Sequence, residues 1–597
     1  MVYKNKMNYG SKVDLFRKAF GRYKLQLTVL TLLGVVSAFT ESLGVTALIP
    51  LFSRLAGQGT SDDIGSRIIG NALDLFNVGF AFKFLLAIII LAFIFKALAL
   101  WLFNYFSARV TADYEYQTRS DLLRGVFSAD WFFLMRQKVG YLETIILRDI
   151  SIARNLFSIV SGAMMNLASL AIYVAIALSI SGTITLISLT LGGLIFLVLK
   201  PLLYKTKMIA RHMAKLYSEM NHHVGEKIIG IKTVKTSSVE EVISSKADDY
   251  FEEIRNLDVK VAVLGVAPAV IMEPISILFI VSIFTFLYVT DNFQIGVFAA
   301  TMYLIHRIFG DIRNVQMLLY KANERIPYVE RVIEFQEEVA KNRESDGGTN
   351  RFEFKKCLEF KNLDFTYESS KNVLSNLNFV VKKGEMLGIV GKSGAGKTTI
   401  VDLFLRLMQP TRGKILIDGT DISAINIKEW RNNIGYVSQD IFVLNDTFEN
   451  NIRFYDESIS DEVVCDSAKM AYIFDFIQSK ANQFKTAVGE RGVLLSGGEK
   501  QRLVLARVLA RHPSILILDE ATSALDNESE LMIQRAIEGL KGRVTIFVIA
   551  HRLTTLLNCD KIIFLENGRN CEEGPPQELL KDKDSNFFQL YNIRNQL

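Results

Sequence analysis

Six stretches in the first 330 residues are apolar for long enough to cross a hydrocarbon layer, and nothing else in the chain constrains its fold as strongly. A bilayer core about 30 Å thick takes about 20 apolar residues as a helix. Its interior offers backbone groups no water, so only helices and closed barrels cross it. The stretches are 25–52, 80–106, 156–179, 184–204, 261–289 and 293–320. Uninterrupted runs of this length read as helices. Those longer than 25 residues predict tilt or continuation into water. A tight turn around Gly182 separates the third and fourth, and residues 290–292 separate the fifth and sixth.

Basic residues orient these helices, because cytoplasmic loops carry the excess of Lys and Arg. The connection between the second and third spans holds Arg109, Arg119, Arg124, Arg136, Lys138, Arg148 and Arg154. Residues 205–260 are richer still, whereas the other connections carry only Arg54 and Arg67. With the basic N-terminal segment, this predicts cytoplasmic termini and two long cytoplasmic loops. The first apolar run is too long for a cleavable leader. Residues 114–127 and 209–229 contain few breakers and predict helices continuing past the membrane, bent near Gly140 and Gly230. Pro268 and Pro274 predict a break or kink in the fifth helix.

The average composition, 50% hydrophobic with a mean hydropathy of +0.24, hides a division. It excludes disorder, collagen and a small disulfide scaffold. Residues 1–340 form the membrane half, 341–350 (KNRESDGGTN) a polar linker, and 351–597 a soluble half. All four cysteines (357, 465, 559, 571) lie in the soluble half without metal-ligand spacing. A net charge of +5 gives no reason to expect a nucleic acid partner. In the soluble half, strand-like runs at 357–367, 378–381, 385–390, 434–437, 515–518 and 544–550 alternate with helical segments. Such alternation predicts a largely parallel sheet with helices on its faces. The expected fold is therefore multi-domain: an all-α transmembrane domain of six helices with long cytoplasmic extensions, followed by an α/β phosphate-binding domain.

The strongest local signal is Gly391, Lys392, Ser393, Gly394, Ala395, Gly396, Lys397 and Thr398, which fits G-x-x-x-x-G-K-[ST] between a strand and a helix starting near Thr399. Backbone amides of such a loop wrap a polyphosphate, and the helix N-terminus adds positive potential. Lys397 suits the outer phosphates and the Thr398 hydroxyl suits Mg²⁺. A second apolar run ends in Asp519 and Glu520, one acid for the metal shell and one for polarising an attacking water. A third element, LSGGEKQR at 495–502, opens a helix with Ser496, Gly497 and Gly498 and offers another anion cradle. One chain with one lysine-bearing loop and a second cradle about a hundred residues on suggests a site shared between two subunits.

In this order, these motifs resemble the nucleotide-binding domain of the ABC transporter family. The resemblance extends to Gln439 of the Q-loop, Asp526 of the D-loop, His551 of the switch and Tyr367 where the family stacks an aromatic on adenine. Together with six preceding helices it matches an exporter-type half-transporter. The resemblance implies ATP and Mg²⁺ as cofactors. The loop residues, Lys397, Thr398 and Thr399 would hold phosphates and metal, and Gln439 and Asp519 would stand near the metal. Ser496, Gly497 and Gly498 would touch the γ-phosphate on the opposite subunit, and Asp526 would link the two sites. Glu520, His551 and Lys397 would carry hydrolysis. Glu499 and Lys500 stand where many relatives have Gln and Arg, a departure placed on the helix surface.

The same resemblance implies a homodimer in a bacterial inner membrane, closing around two ATP molecules and alternating between inward-open and outward-open states. Residues 61–77 place Ile64, Ile68, Ala72, Leu75 and Phe76 at helical spacing, like the external helix of bacterial lipid-linked oligosaccharide flippases. A lipid-linked oligosaccharide is accordingly the expected substrate, with a lipid A-type lipid or hydrophobic drug as the alternative. An ATP-gated channel or transport regulator is the alternative of another class. Within the membrane half, Arg307 beside His306 suits either an anionic head group or a pair with Glu41 or Glu273. Lys96 is a further partner for Glu41, although depths counted along the helices put them about 10 Å apart.

Overall fold

The computed structural model describes residues 12–47, 82–289, 295–345, 348–367, 372–519, 526–549 and 553–595. The chain divides into two compact units, Met1–Ala129 with Phe133–Arg343, and Asp130–Phe132 with Glu344–Leu597.

The first unit is helical. Lys12–Phe20 (α1) leads through a turn into Lys24–Thr46 (α2), followed by Phe82–Phe127 (α3) and the short Trp131–Met135 (α4). Asn155–Ile180 (α5) and Gly182–Ile229 (α6) meet at Ser181, whose extended backbone makes the turn expected around Gly182. Short helical turns over 139–153 precede α5, and Ile231–Thr236 (α7), Glu240–Val289 (α8) and Ile295–Lys341 (α9) complete the described part of the unit. With 46 to 50 residues each, α3, α6, α8 and α9 are about 70 Å long at 1.5 Å per residue, more than twice the hydrocarbon thickness.

Among the described residues, five helical stretches are long and apolar enough to cross a bilayer, not the six expected. They are Val13–Thr46, Lys83–Phe127, Gly140–Ile180, Gly182–Ile229 and Glu240–Phe286. The sixth expected span, 293–320, falls partly outside the described residues, and its described part lies on α9. The expected external segment 61–77 lies outside the described residues.

The bend expected near Gly140 falls over 136–138, where Lys138 is extended ahead of the next helical turn. Gly140 itself marks a close approach, because a Cβ there would lie 2.9 Å from the His222 Cα. Gly230 does end α6, its backbone turning into α7. Pro268 and Pro274 leave α8 continuous. Each costs one backbone bond, which packing and neighbouring groups compensate.

Small residues let the helices approach, as membrane packing requires. A Cβ on Gly192 would lie 2.6 Å from Ile312 Cδ1, and one on Gly34 would lie 2.8 Å from Met165 Cγ. Phe157, Val329, Phe335 and Leu30 fill one buried cluster, and Tyr173, Met272, Ile308 and Phe309 another.

The second unit holds two sheets rather than one. Strands Cys357–Phe365 (β1), Leu374–Lys382 (β2), Arg412–Ile417 (β4) and Thr420–Asp421 (β5) form an antiparallel sheet in the order β2-β1-β4-β5. The first two predicted strands thus leave the parallel sheet. Their alternating burial is that of strands with one wet face. The main sheet is β10-β9-β3-β8-β7-β6, from Met386–Gly391 (β3), Ile434–Val437 (β6), Ile515–Asp519 (β7), Thr545–Ile549 (β8), Lys561–Glu566 (β9) and Arg569–Gly574 (β10). All its pairings are parallel except β10 with β9. β3, β7 and β8 are buried along their whole length, as expected of strands covered on both faces.

Candidate functional site

β3 runs straight into the glycine loop, whose shape only glycine supports. Gly391, Gly394 and Gly396 have φ of 156°, 80° and 100°. A Cβ on Gly391 would overlap the Leu565 carbonyl, and one on Gly396 would lie 2.7 Å from Leu374 Cδ2. Gly396 caps the helix Lys397–Phe404 (α10), which leaves the first amides of that helix without intrahelical partners. Lys397 is buried and its Nζ donates to the carbonyls of Gly391 at 2.9 Å and Lys392 at 3.1 Å, so its charge is held inside the loop. Thr398 is exposed while Ala395 and Thr399 are buried, so Thr398 is the hydroxyl open to a metal. Lys392 and Ser393 stand exposed on the loop crest. Convergent amides, an inward lysine and one open hydroxyl fit a polyphosphate with its divalent cation.

Asp519 ends β7 level with the base of this loop: it pairs with Ile549 of β8, which pairs with Ile389 of β3. Gln439 is exposed two residues past the end of β6, the neighbour of β7. Two further residues join this edge. Tyr436 on β6 donates its hydroxyl to Asp519 Oδ2 at 3.3 Å, and burial beside that carboxylate pushes the phenol up. Asp402 on α10 is pushed up to about 6 by burial and by the Asp519 charge. Neither is part of a local motif; the only trace in the sequence is the strand position of Tyr436 ahead of Gln439. Glu520 and His551 lie outside the described residues, and Asp519 and Ile549 are register partners.

The LSGGEKQR segment forms the N-terminus of Gly497–Leu509 (α11). Ser496 caps it, accepting from the Glu499 N–H at 3.3 Å, while Glu499 Oε2 accepts from the Ser496 N–H at 2.7 Å. Glu499 is therefore half of a capping box rather than a bystander on the surface. Gly498 is buried, and a Cβ there would overlap the Ser529 hydroxyl. Ser529 belongs to Asn527–Leu540 (α12), whose cap is Asp526: Asp526 Oδ2 accepts from the Ser529 N–H at 3.1 Å. Hydrogen bonds from Ser529 hold the Asp526 carboxyl below its ordinary range. The structure thus brings the two helix starts carrying Gly498 and Asp526 together through one serine.

Tyr367 stands beside the phosphate loop, its hydroxyl 3.3 Å from Thr399 Oγ1 and its ring edge-on to Phe365 at 4.8 Å.

In the helical unit a separate polar cluster surrounds Glu41, which is 3% exposed. Lys96 Nζ lies 2.8 Å from it, Tyr173 and Tyr303 donate to it at 2.5 and 2.9 Å, and Arg307 pairs with it. Of the two partners expected for Arg307 it takes Glu41; Glu273 faces Arg313 at 3.8 Å.

Residues 374–523 match the ABC transporter family and residues 27–311 match the ABC transporter transmembrane region. A multidrug resistance ABC transporter ATP-binding and permease protein of Lactococcus lactis is 32% identical over 408 residues, covering 66% of this chain and 68% of that protein. An ATP-dependent lipid A-core flippase of Legionella pneumophila is 34% identical over 394 residues, covering 65% and 66%. A solved bacterial Atm1-family ABC exporter with ATP bound shares the fold with a TM-score of 0.75, covering 96% of this chain and 98% of that one at 23% identity. A lysine-bearing glycine loop on a buried parallel strand, a second glycine cradle at a helix start, long apolar helices ahead of both, and matches that span the two halves lead to one assignment. This chain belongs to the ABC transporter family, and is an integral membrane ATPase that couples hydrolysis in its cytoplasmic half to transport.

Proposed function

We propose that the chain exports or flips an amphipathic lipid or hydrophobic drug as a homodimer with six membrane spans per subunit. The observation that carries this is the pair of incomplete anion cradles in one soluble unit. One holds Lys397 inside a left-handed glycine loop; the other, at Ser496 and Gly498, is a capped helix start. Each becomes complete when two copies face each other head to tail.

In this arrangement the loop from Gly391 to Thr398 holds the phosphates of ATP, and Thr398, Gln439 and Asp519 hold Mg²⁺. Tyr367 stacks on the base. Glu520 positions and polarises the attacking water, His551 contacts the γ-phosphate, and Asp526 joins the two sites. The γ-phosphate and its metal supply the differential affinity for the closed dimer, and hydrolysis removes it. The helices that continue far past the hydrocarbon carry that closure to the membrane cavity.

For the substrate, relatives named as a lipid A-core flippase and as a multidrug resistance transporter favour a lipid A-type lipid or a hydrophobic drug. A lipid-linked oligosaccharide has less support, since the external segment that suggested it lies outside the described residues. Arg307 is engaged by Glu41, which leaves less reason to assign it to an anionic head group. The test compares ATPase stimulation by lipid A, hydrophobic drugs and lipid-linked sugars in reconstituted vesicles. Activation by either of the first two supports the proposal, and activation by lipid-linked sugars alone overturns it.

A further inference from the structure

Trp430 and Arg431, neighbours on the short helix Ile427–Asn432, grip the far end of α10, the helix that leaves the phosphate loop. The buried Trp430 donates its Nε1–H to the Phe404 carbonyl at 2.8 Å. Arg431 donates from Nε to the Leu405 carbonyl at 3.2 Å and from Nη2 to the Arg406 carbonyl at 3.0 Å. The last carbonyls of a helix have no partners within it and carry negative potential, so an indole N–H and a guanidinium suit them. The same guanidinium also reaches Glu344. Nη1 and Nη2 donate to Glu344 Oε2 and Oε1 at 3.0 and 2.5 Å, a two-pronged pair that fixes orientation as well as distance.

Glu344 opens the main segment of the second unit, and only residues 342 and 343 separate it from Lys341, the last of α9. The chain beyond it is stitched down in turn. The Gly348 N–H donates to the Ser423 carbonyl at 2.9 Å, the Asn350 N–H to the Ala424 carbonyl at 3.0 Å, and the Phe352 N–H to Glu429 Oε2 at 2.9 Å. One guanidinium therefore joins the helix that carries the phosphate loop to the first residue after the helical unit. With eight residues, α10 is about 12 Å long and moves as a rod, the kind of rigid element that carries coupling between sites. A shift at its N-terminus reaches the carbonyls at its other end, and through Arg431 the Glu344 carboxylate. We propose that Arg431 is a positioning residue for coupling: through Glu344 it passes ATP binding at the loop 391–398 to the end of α9, by way of the linker. This rests on the assignment of the phosphates to that loop.

The experiment follows hydrogen exchange of the full chain in lipid nanodiscs, with and without Mg²⁺ and the slowly hydrolysed analogue ATPγS. Peptides from the loop and α10 (391–404) and from the last turns of α9 (325–341) are compared in wild type, Glu344→Ala and Arg431→Lys, with basal ATPase turnover measured alongside. The nucleotide is expected to slow exchange in the loop at least about threefold in all three proteins, and to change exchange in the wild-type α9 peptide by a similar factor. Glu344→Ala leaves every bond from Arg431 to α10 in place; its α9 response is expected to fall to less than about a third, with turnover within about twofold of wild type. Arg431→Lys keeps the charge but cannot span two carbonyls and a carboxylate, and is expected to lose the α9 response likewise. A full α9 response in either variant overturns the proposal. So does loss of the loop response together with it, which would show that the pair only holds the fold. If the wild-type loop responds and α9 does not, the coupling role alone fails. If the wild-type loop does not respond, the phosphate assignment fails and the proposal with it.

Discussion

Lys96 Nζ lies 2.8 Å from Glu41 Oε2, joining α2 and α3 inside the membrane half. The same carboxylate pairs with Arg307 of α9 and accepts from Tyr173 of α5, so one nearly inaccessible acid ties four helices together. Removing one member of a buried ionic group strands the others, at about 3–5 kcal/mol. Glu41→Gln is therefore expected to lower the thermal unfolding midpoint of the detergent-solubilised protein by several degrees. A midpoint indistinguishable from wild type would show that Lys96 and Arg307 are satisfied without this acid.

Gly498 presses against Ser529, leaving no room for a methyl group. Gly498→Ala is expected to push α11 away from α12, destabilising by about 1–3 kcal/mol as overpacking does and abolishing most ATPase activity. Adding Ser529→Gly removes both overlapping atoms and is expected to recover stability, read as a rise in the unfolding midpoint. No recovery in the double variant would mean the damage lies elsewhere in the cradle.

The capping box at Ser496 predicts a difference between two substitutions of Glu499. Glu499→Gln keeps an acceptor for the Ser496 N–H and is expected to leave stability unchanged. Glu499→Ala loses it and is expected to cost about 1 kcal/mol, the usual scale for a cap. Equal unfolding midpoints for both variants would remove Glu499 from this role.

Asp402 gives a pH dependence with a definite sign. Its carboxyl ionises near 3.8 ordinarily and about 6 in the folded chain, because it is buried beside Asp519. Between those values the folded state binds more protons than the unfolded state, so this group makes stability fall as pH rises, until ionisation is complete above about 6. Asp402→Asn removes that dependence. The variant is expected to be more stable than wild type above pH 6, with the gain shrinking toward zero below pH 4. A gain that is instead largest at acid pH would contradict the placement of Asp402 against Asp519.

The phosphate loop was legible because everything that makes it is local: a buried strand, three glycines and a lysine within eight positions, then a helix. Tyr436 and Asp402 were not, since Tyr436 meets Asp519 across 83 positions and only the strand order brings them together. Five of the six membrane spans read from the sequence stand on helices long and apolar enough to cross a bilayer, and the sixth begins outside the described residues. Depth counting put Lys96 and Glu41 about 10 Å apart because it starts every apolar run at the same membrane level, and their 2.8 Å contact shows that these two runs do not share that reference. Gly140 sits two residues past its bend and is itself a close contact, since a glycine needed for space and one beside a turn read alike in sequence.

ATP-coupled movement of substrate is the decisive observable. Proteoliposomes containing wild type or Glu520→Gln are loaded with ATP and Mg²⁺, and passage of a fluorescent lipid A analogue or hydrophobic drug across the bilayer is followed with time. Directional transport by wild type that stops in Glu520→Gln, while that variant still binds ATP, is the expected result. Equal transport by the two proteins, or movement in wild type that proceeds without ATP, would contradict a translocase driven by hydrolysis at this site.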